Sequence, residues 1–115
     1  MNYTELNSVL IDNTSADPKT ISNETYRVYG LTLIKLRDIL YRIGSICYED
    51  LETGVYVASL KGGIKKKNTA ILALNLENEE LKISVSAKEG IIKQHTKEDV
   101  LHELKKSLKD YIAQK

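Results

Sequence analysis

The sequence has very little cysteine and proline, and it has no phenylalanine or tryptophan: its 115 residues include one cysteine and one proline. With Cys47 alone the chain can form no internal disulfide and cannot hold zinc through cysteines only, which favours a reducing compartment. The apolar runs span only a few residues, whereas a membrane-spanning helix needs about 20, and the N-terminus does not resemble a signal peptide. We therefore expect a cytoplasmic protein without a membrane anchor.

Charge and aromatic content exclude little else. Lysine and arginine number 17 against 16 acidic residues, so the net charge of +1 provides no overall field to attract nucleic acid or acidic lipid. Any charged partner must be bound by a local patch. All seven aromatic residues are tyrosines. Since a buried tyrosine hydroxyl needs a hydrogen-bond partner, we expect most of them at core margins, with a tyrosine-lined binding surface as the alternative.

The N-terminal residues are predominantly polar. Residues 12–25 contain the only proline and, as apolar side chains, just Ala16 and Ile21, which is too little to offset the entropy lost on ordering. The sequence thus predicts a flexible tail over residues 1–23 and a single α+β domain over residues 24–115. Leu6, Val9 and Leu10 have helical spacing in a segment too short to be stable alone, so this segment either docks on the domain or binds another molecule.

The next segment, residues 26–43, has the periodicity of an amphipathic helix. Its stripe comprises Tyr29, Leu33, Leu36, Leu40 and Ile43, and it is widened by Leu31, Ile34 and Ile39. We expect this helix to be half surrounded by core. Gly44 follows the last turn, where a residue with positive φ commonly ends a helix.

After Gly44 the apolar period becomes two, which is typical of strands. The candidate strands are residues 45–48, 55–60, 69–76, 81–88 and 91–95. In residues 81–88 one face is apolar and the other is Lys-Ser-Ser-Lys, so we expect that second face to be solvated. A final helix is predicted over residues 97–113. Ile83 and Leu104 are expected to be core residues from opposite layers.

This order predicts an α+β two-layer sandwich, in which a four- or five-stranded antiparallel meander is packed on one face by an N-terminal-side helix and a C-terminal helix. The order of elements is loosely similar to that of roadblock-like and signal-recognition-particle Alu-binding domains, which are adaptor and assembly folds. That similarity is limited to element order, so no site residue is transferred.

The segment with the strongest chemical character is a basic hairpin with four lysines in seven residues. Its candidate anion or nucleic-acid contacts are Lys61, Gly62, Gly63, Lys65, Lys66 and Lys67. Glycines allow a phosphate to approach the backbone and lysines supply positive charge. The simpler interpretation is that charged residues at a hairpin tip keep a sheet edge soluble.

Signals for catalysis or metal binding are weaker. His95, Glu98, Asp99, His102 and Glu103 lie close in sequence, but helix capping explains the acidic residues. Cys47 lies between Ile46 and Tyr48, as a small buried hydrophobe would. No nucleotide-binding or nucleophile motif is present.

We therefore predict a small non-enzymatic protein-interaction module without cofactor or metal. Its partner is another protein or a second copy, bound through a sheet edge or a helix face. The alternative is a protein that binds nucleic-acid backbones through the basic hairpin.

Overall fold

The computed structural model describes residues 1–62, 68–87 and 96–113. These residues form three α-helices and a five-stranded antiparallel sheet, with a 3-10 turn at Pro18–Thr20. In chain order the elements are α1 (Tyr3–Asn13), β1 (Ser22–Arg27), α2 (Leu33–Ile43), β2 (Gly44–Asp50), β3 (Val55–Gly62), β4 (Asn68–Glu77), β5 (Glu80–Ser86) and α3 (Thr96–Ala113). Strands β2 to β5 form the predicted meander, and β1 pairs with β5, which gives the order β1-β5-β4-β3-β2. The predicted strand at residues 91–95 lies outside the described residues.

Helices α2 and α3 pack on one face of the sheet, so the predicted α+β two-layer sandwich is confirmed. We call this packing the main core. Its central strands contribute every second residue, as the pleat of a strand requires. Fully buried side chains in it include Leu36 and Leu40 from α2, Tyr56 and Leu60 from β3, Leu72 and Leu74 from β4, Leu81 and Ile83 from β5, and Leu104 and Leu108 from α3.

Helix α1 packs on the opposite face of the sheet, where it forms a second core from Leu6, Leu10, Val55, Val57 and Ala73. The solvated face predicted for residues 81–88 is therefore wrong in part. Ser84 is fully buried and Ser86 is 4% exposed. Alternation of polar and apolar residues correctly separates the two faces of a strand, but it does not say whether the polar face is covered.

The structure also differs from the predicted tail, because residues 1–23 contain α1, the 3-10 turn and the start of β1. Helix α1 begins with a capping box: the Asn2 side chain accepts a hydrogen bond from the Glu5 N–H at 2.8 Å, and the Glu5 carboxylate accepts one from the Asn2 N–H at 3.1 Å. Such caps stabilise a helix by about 1 kcal/mol. Leu6 and Leu10 then supply one buried stripe that attaches the helix to the sheet. Of the two alternatives for this segment, docking is the one observed.

The helix predicted over residues 26–43 is shorter in the structure. Tyr26 lies in β1, and α2 begins after Thr32, whose hydroxyl accepts a hydrogen bond from the Lys35 N–H at 3.2 Å. Gly44 follows α2 directly, but its backbone is extended (φ −173°). The left-handed conformation predicted for this residue is therefore wrong. Glycine is required there for another reason: a Cβ atom would lie 2.1 Å from the Ser59 carbonyl oxygen. Close approach of β2 to β3 explains this glycine.

Candidate interaction surface

Among the strands that the structure describes, β1 and β2 lie at the two edges of the sheet, and side chains of α3 contact β1. Glu24 of β1 forms an ion pair with Lys105 of α3, and Arg27 forms one with Glu80 at 3.2 Å. The Lys97 ammonium donates hydrogen bonds to Ser22 Oγ at 2.8 Å. Side chains from α3 and β5 therefore contact β1 along its length.

Strand β2 pairs only with β3 among the strands that the structure describes. Its register shifts between Ile46 and Tyr48, which leaves Cys47 as the extra residue of a β-bulge. Cys47 is exposed, so its prediction as a buried hydrophobe is wrong. Bulges are common on edge strands, where they increase the local twist and limit uncontrolled pairing.

One side of α2 faces this edge. Ile34, Arg37 and Tyr41 are spaced i, i+3 and i+7 and so lie on one stripe of the helix. Arg37 Nε lies 3.6 Å from Glu49 Oε1 on β2, which shows that the stripe stands beside the edge strand. The Arg37 guanidinium carbon is 5.6 Å from the centre of the Tyr41 ring.

This stripe is strongly exposed. Ile34 is 73% exposed and Tyr41 is 55% exposed, although Ile34 is expected from its sequence pattern to widen the buried stripe. We call the stripe and the strand beside it the edge surface, and define it by Ile34, Arg37, Tyr41, Cys47 and Glu49. Tyrosine and arginine are enriched in protein interfaces.

Contacts on the other sides of α2 fix its position. The hydroxyl of Tyr56, a residue of the main core, donates a hydrogen bond to the Leu33 carbonyl at 2.9 Å. Burial raises the pKa of this tyrosine above its ordinary value. The Tyr111 hydroxyl of α3 donates to Asp38 Oδ2 at 3.2 Å, and Arg42 lies over the Tyr111 ring at 5.3 Å. The sheet and α3 thus occupy two sides of α2, and the edge surface is the side that both leave exposed.

The basic hairpin is described only at its base. Strands β3 and β4 pair as far as Gly62 and Asn68, and Lys61 is exposed opposite Thr69. Gly63, Lys65, Lys66 and Lys67 lie outside the described residues. Beside Lys61, on the face that carries α1, is a cleft of about 620 Å³. Hydroxyl groups line much of it, from Ser15, Thr20, Ser59, Thr69 and Ser86, together with Ala16, Asp17, Ile71 and Ala87.

The histidine cluster is not assembled by the described part of the chain. His102 and Glu98 are exposed on α3, and His95 lies outside the described residues. Within residues 1–62, 68–87 and 96–113, no group of three or more histidine, cysteine, aspartate or glutamate side chains is placed to hold a metal ion. The same ranges contain no helix long and apolar enough to cross a membrane.

No protein-family model matches this chain, and a search of curated proteins finds no match either. The argument for function consequently depends on the chain's own residues.

Proposed function

We propose that this protein is a non-enzymatic protein-interaction module that binds an extended polypeptide segment at the edge of β2. The bound segment adds one strand to the sheet beneath the exposed stripe of α2. The observation that carries this proposal is the exposed stripe of Ile34, Arg37 and Tyr41 on α2, from which Arg37 contacts Glu49 of β2.

Strand addition suits this surface for two physical reasons. An edge strand presents unpaired N–H and C=O groups, and an added strand gains affinity from main-chain hydrogen bonds. Side chains beside the edge then provide specificity. Ile34 and Tyr41 offer apolar contacts, and Arg37 and Glu49 offer one charge of each sign. Strand β1 is the poorer candidate because the highly exposed Ile34 and Tyr41 lie on α2, which packs against β2.

A position-specific photo-crosslink tests this function. A photoreactive phenylalanine derivative replaces Ser45, which is exposed at the start of β2, and the full chain is irradiated in an extract of its source cells. The matched control carries the same derivative at Tyr29, which is 72% exposed but lies outside the edge surface. We expect a discrete adduct at position 45 that is absent at position 29.

The adduct must also depend on the stripe. In the chain labelled at position 45, replacing both Ile34 and Tyr41 by serine removes exposed apolar area without disturbing the core, so folding should be retained. The adduct should then fall at least about tenfold, since interface aromatics commonly contribute that much. Equal adducts at positions 45 and 29, or an adduct that survives the double substitution, would contradict the proposed function.

The hydroxyl-lined cleft favours a second candidate function, contact with nucleic-acid backbones. Lys61 lies two residues after Ser59 in β3, so both side chains project from the same face of the sheet. Hydroxyl donors next to a lysine are suitable contacts for phosphate oxygens. In this candidate, Lys61 and the cleft bind one phosphate, and Lys65, Lys66 and Lys67 extend the contact along the backbone.

Salt dependence separates this candidate from the first. If three or four lysines contact duplex DNA, the logarithm of the affinity should fall with the logarithm of salt concentration with a slope of roughly −3 to −4. Fluorescence anisotropy on RNA and DNA measures this slope for the native chain and for a variant with Lys61, Lys65, Lys66 and Lys67 replaced by serine. Absence of binding even at low salt eliminates the candidate.

A further inference from the structure

The two ends of the β2 edge have opposite charge. Where β2 ends and β3 begins, a depression of about 460 Å³ is lined by Glu5, Glu52 and Glu77, of which Glu77 is paired with the Met1 ammonium at 2.9 Å. At the other end, Gly44 pairs with Leu60, so the start of β2 lies next to Lys61, and the exposed Arg42 lies two residues before Gly44 in the chain. One end of the edge is therefore acidic and the other is basic.

Exposed apolar side chains also occur at both ends. Leu33 and Leu51 line the acidic depression, which places the first turn of α2, with Ile34, at that end. Tyr41 belongs to the last turn of α2, at the basic end. Of the four large apolar side chains that are highly exposed among the described residues, Ile34, Tyr41 and Leu51 lie along this one edge, and Tyr29 does not.

A surface with these two properties is complementary to itself. We propose that the segment bound at the β2 edge belongs to a second copy of this chain, related to the first by a two-fold axis perpendicular to the sheet near Cys47. This inference rests on the proposed function and names its partner. The axis reverses the direction of the second β2, so that the acidic end of each copy lies beside the basic end of the other.

The same axis brings the apolar side chains together. It leaves both α2 helices on one face of the joined sheets, because a rotation about the sheet normal does not exchange the faces. Tyr41 of each copy then lies beside Ile34 and Leu51 of the other. A two-fold contact of this kind is closed, since each copy uses its own β2 edge in the same contact. The expected assembly is a dimer and not a fibre.

Sedimentation of the full chain over a wide concentration range measures the predicted association. We expect the 13.0 kDa monomer to give way to a species of twice that mass as concentration rises. Replacing Tyr41 by glutamate puts a charge in the apolar contact and should raise the dissociation constant at least about tenfold. Tyr29→Glu is the matched control, because it adds the same charge at another highly exposed tyrosine away from the edge, and it should leave association unchanged.

A charge swap tests the orientation of the two copies. Glu52→Lys makes both ends of the edge basic, and Lys61→Glu makes both ends acidic, so each variant alone should associate more weakly than the native chain. When the two variants are mixed, each end of the β2 edge in one copy lies beside an end of opposite charge in the other. A heterodimer should then form in preference to either homodimer. Cys47, the only cysteine, reports on the axis: a short bismaleimide should link two copies through it.

The outcomes separate this inference from the proposed function. A strict monomer whose position-45 adduct contains a different protein overturns the second copy as partner and leaves the interaction module standing. A strict monomer with no position-specific adduct overturns both. A dimer that Tyr41→Glu does not weaken, or variants that fail to form the heterodimer, would show that the copies associate through another surface.

Discussion

The two faces of the sheet are covered in different ways. On the face under α2 and α3, neighbouring strands present continuous rows of apolar side chains, such as Ala58, Leu72 and Val85. On the face under α1, three apolar residues, Val55, Val57 and Ala73, lie next to buried polar ones, including Asn75 and Ser84. The comparison teaches that a helix can cover a mixed surface, provided that the polar groups beneath it have partners.

Hydrogen bonds supply those partners. Ser84 Oγ lies 2.6 Å from Asn7 Oδ1 of α1 and 3.0 Å from Asn23 Oδ1 of β1. The Asn75 side-chain amide donates to the Thr53 carbonyl at 2.9 Å and the Gly54 carbonyl at 3.2 Å. Asn75 Oδ1 is the buried side-chain atom without a partner among the described residues. The second core therefore depends on polar geometry more than the main core does.

The largest effect is expected in the main core. Ile83→Ala should lower the free energy of unfolding by about 2 to 5 kcal/mol, because it removes fully buried methyl groups and leaves a cavity between β5 and the helices. Leu104→Ala in α3 tests the opposite layer and should cost a similar amount. Urea denaturation measures both. Losses below about 0.5 kcal/mol at both positions would contradict the packing of α3 on the sheet.

A somewhat smaller effect is expected in the second core. Leu6→Ala should cost about 2 to 4 kcal/mol, less than a main-core truncation because a single short helix can move to close the space. Hydrogen exchange should show faster exchange in α1 with little change in β3 and β4, as local opening requires. Thr4→Ala, at an exposed position of the same helix, is the control and should stay within about 0.5 kcal/mol of the native chain. Equal exchange in native and variant α1 would show that Leu6 does not attach the helix.

The smallest effect is expected at the polar contact beneath α1. Ser84→Ala removes the hydroxyl between Asn7 and Asn23 and should cost about 1 kcal/mol, the usual net contribution of a hydrogen bond. Thermal unfolding monitored by circular dichroism measures the loss, and Ser8→Ala, at an exposed serine of α1, serves as its control. If Ser84→Ala stabilises the protein, apolar contact and not hydrogen bonding attaches α1.

Periodicity was sufficient to predict the elements of the main core. The stripe through Leu36 and Leu40 and the alternation through Ile83 reflect burial on one side only, which a sequence pattern records directly. The N-terminal part could not be predicted in this way. Helix α1 has only two fully buried residues. The sequence of β1 is Ser-Asn-Glu-Thr-Tyr-Arg, and this strand is stabilised by pairing with β5 rather than by its own composition.

The candidate site was predicted less well than the fold. The anion contact predicted for Lys61 stays a prediction, since the structure shows only that this residue is exposed, and the edge surface was missed. Ile34 was counted with the buried stripe, although its spacing from Arg37 and Tyr41 places it on a different side of α2 from Leu36 and Leu40. A helical projection could have separated the two stripes. The bulge that exposes Cys47 could not have been found, because register depends on how β2 pairs with β3.

Helix α2 ends at Ile43 and β2 begins at Gly44, so no loop separates them. The strand cannot swing relative to the helix, because Gly44 is packed against β3 so tightly that even a methyl group would not fit. The strand addition proposed for this edge therefore requires no rearrangement of α2 relative to β2. Little conformational entropy remains to be lost on association, which lets a small interface reach a useful affinity.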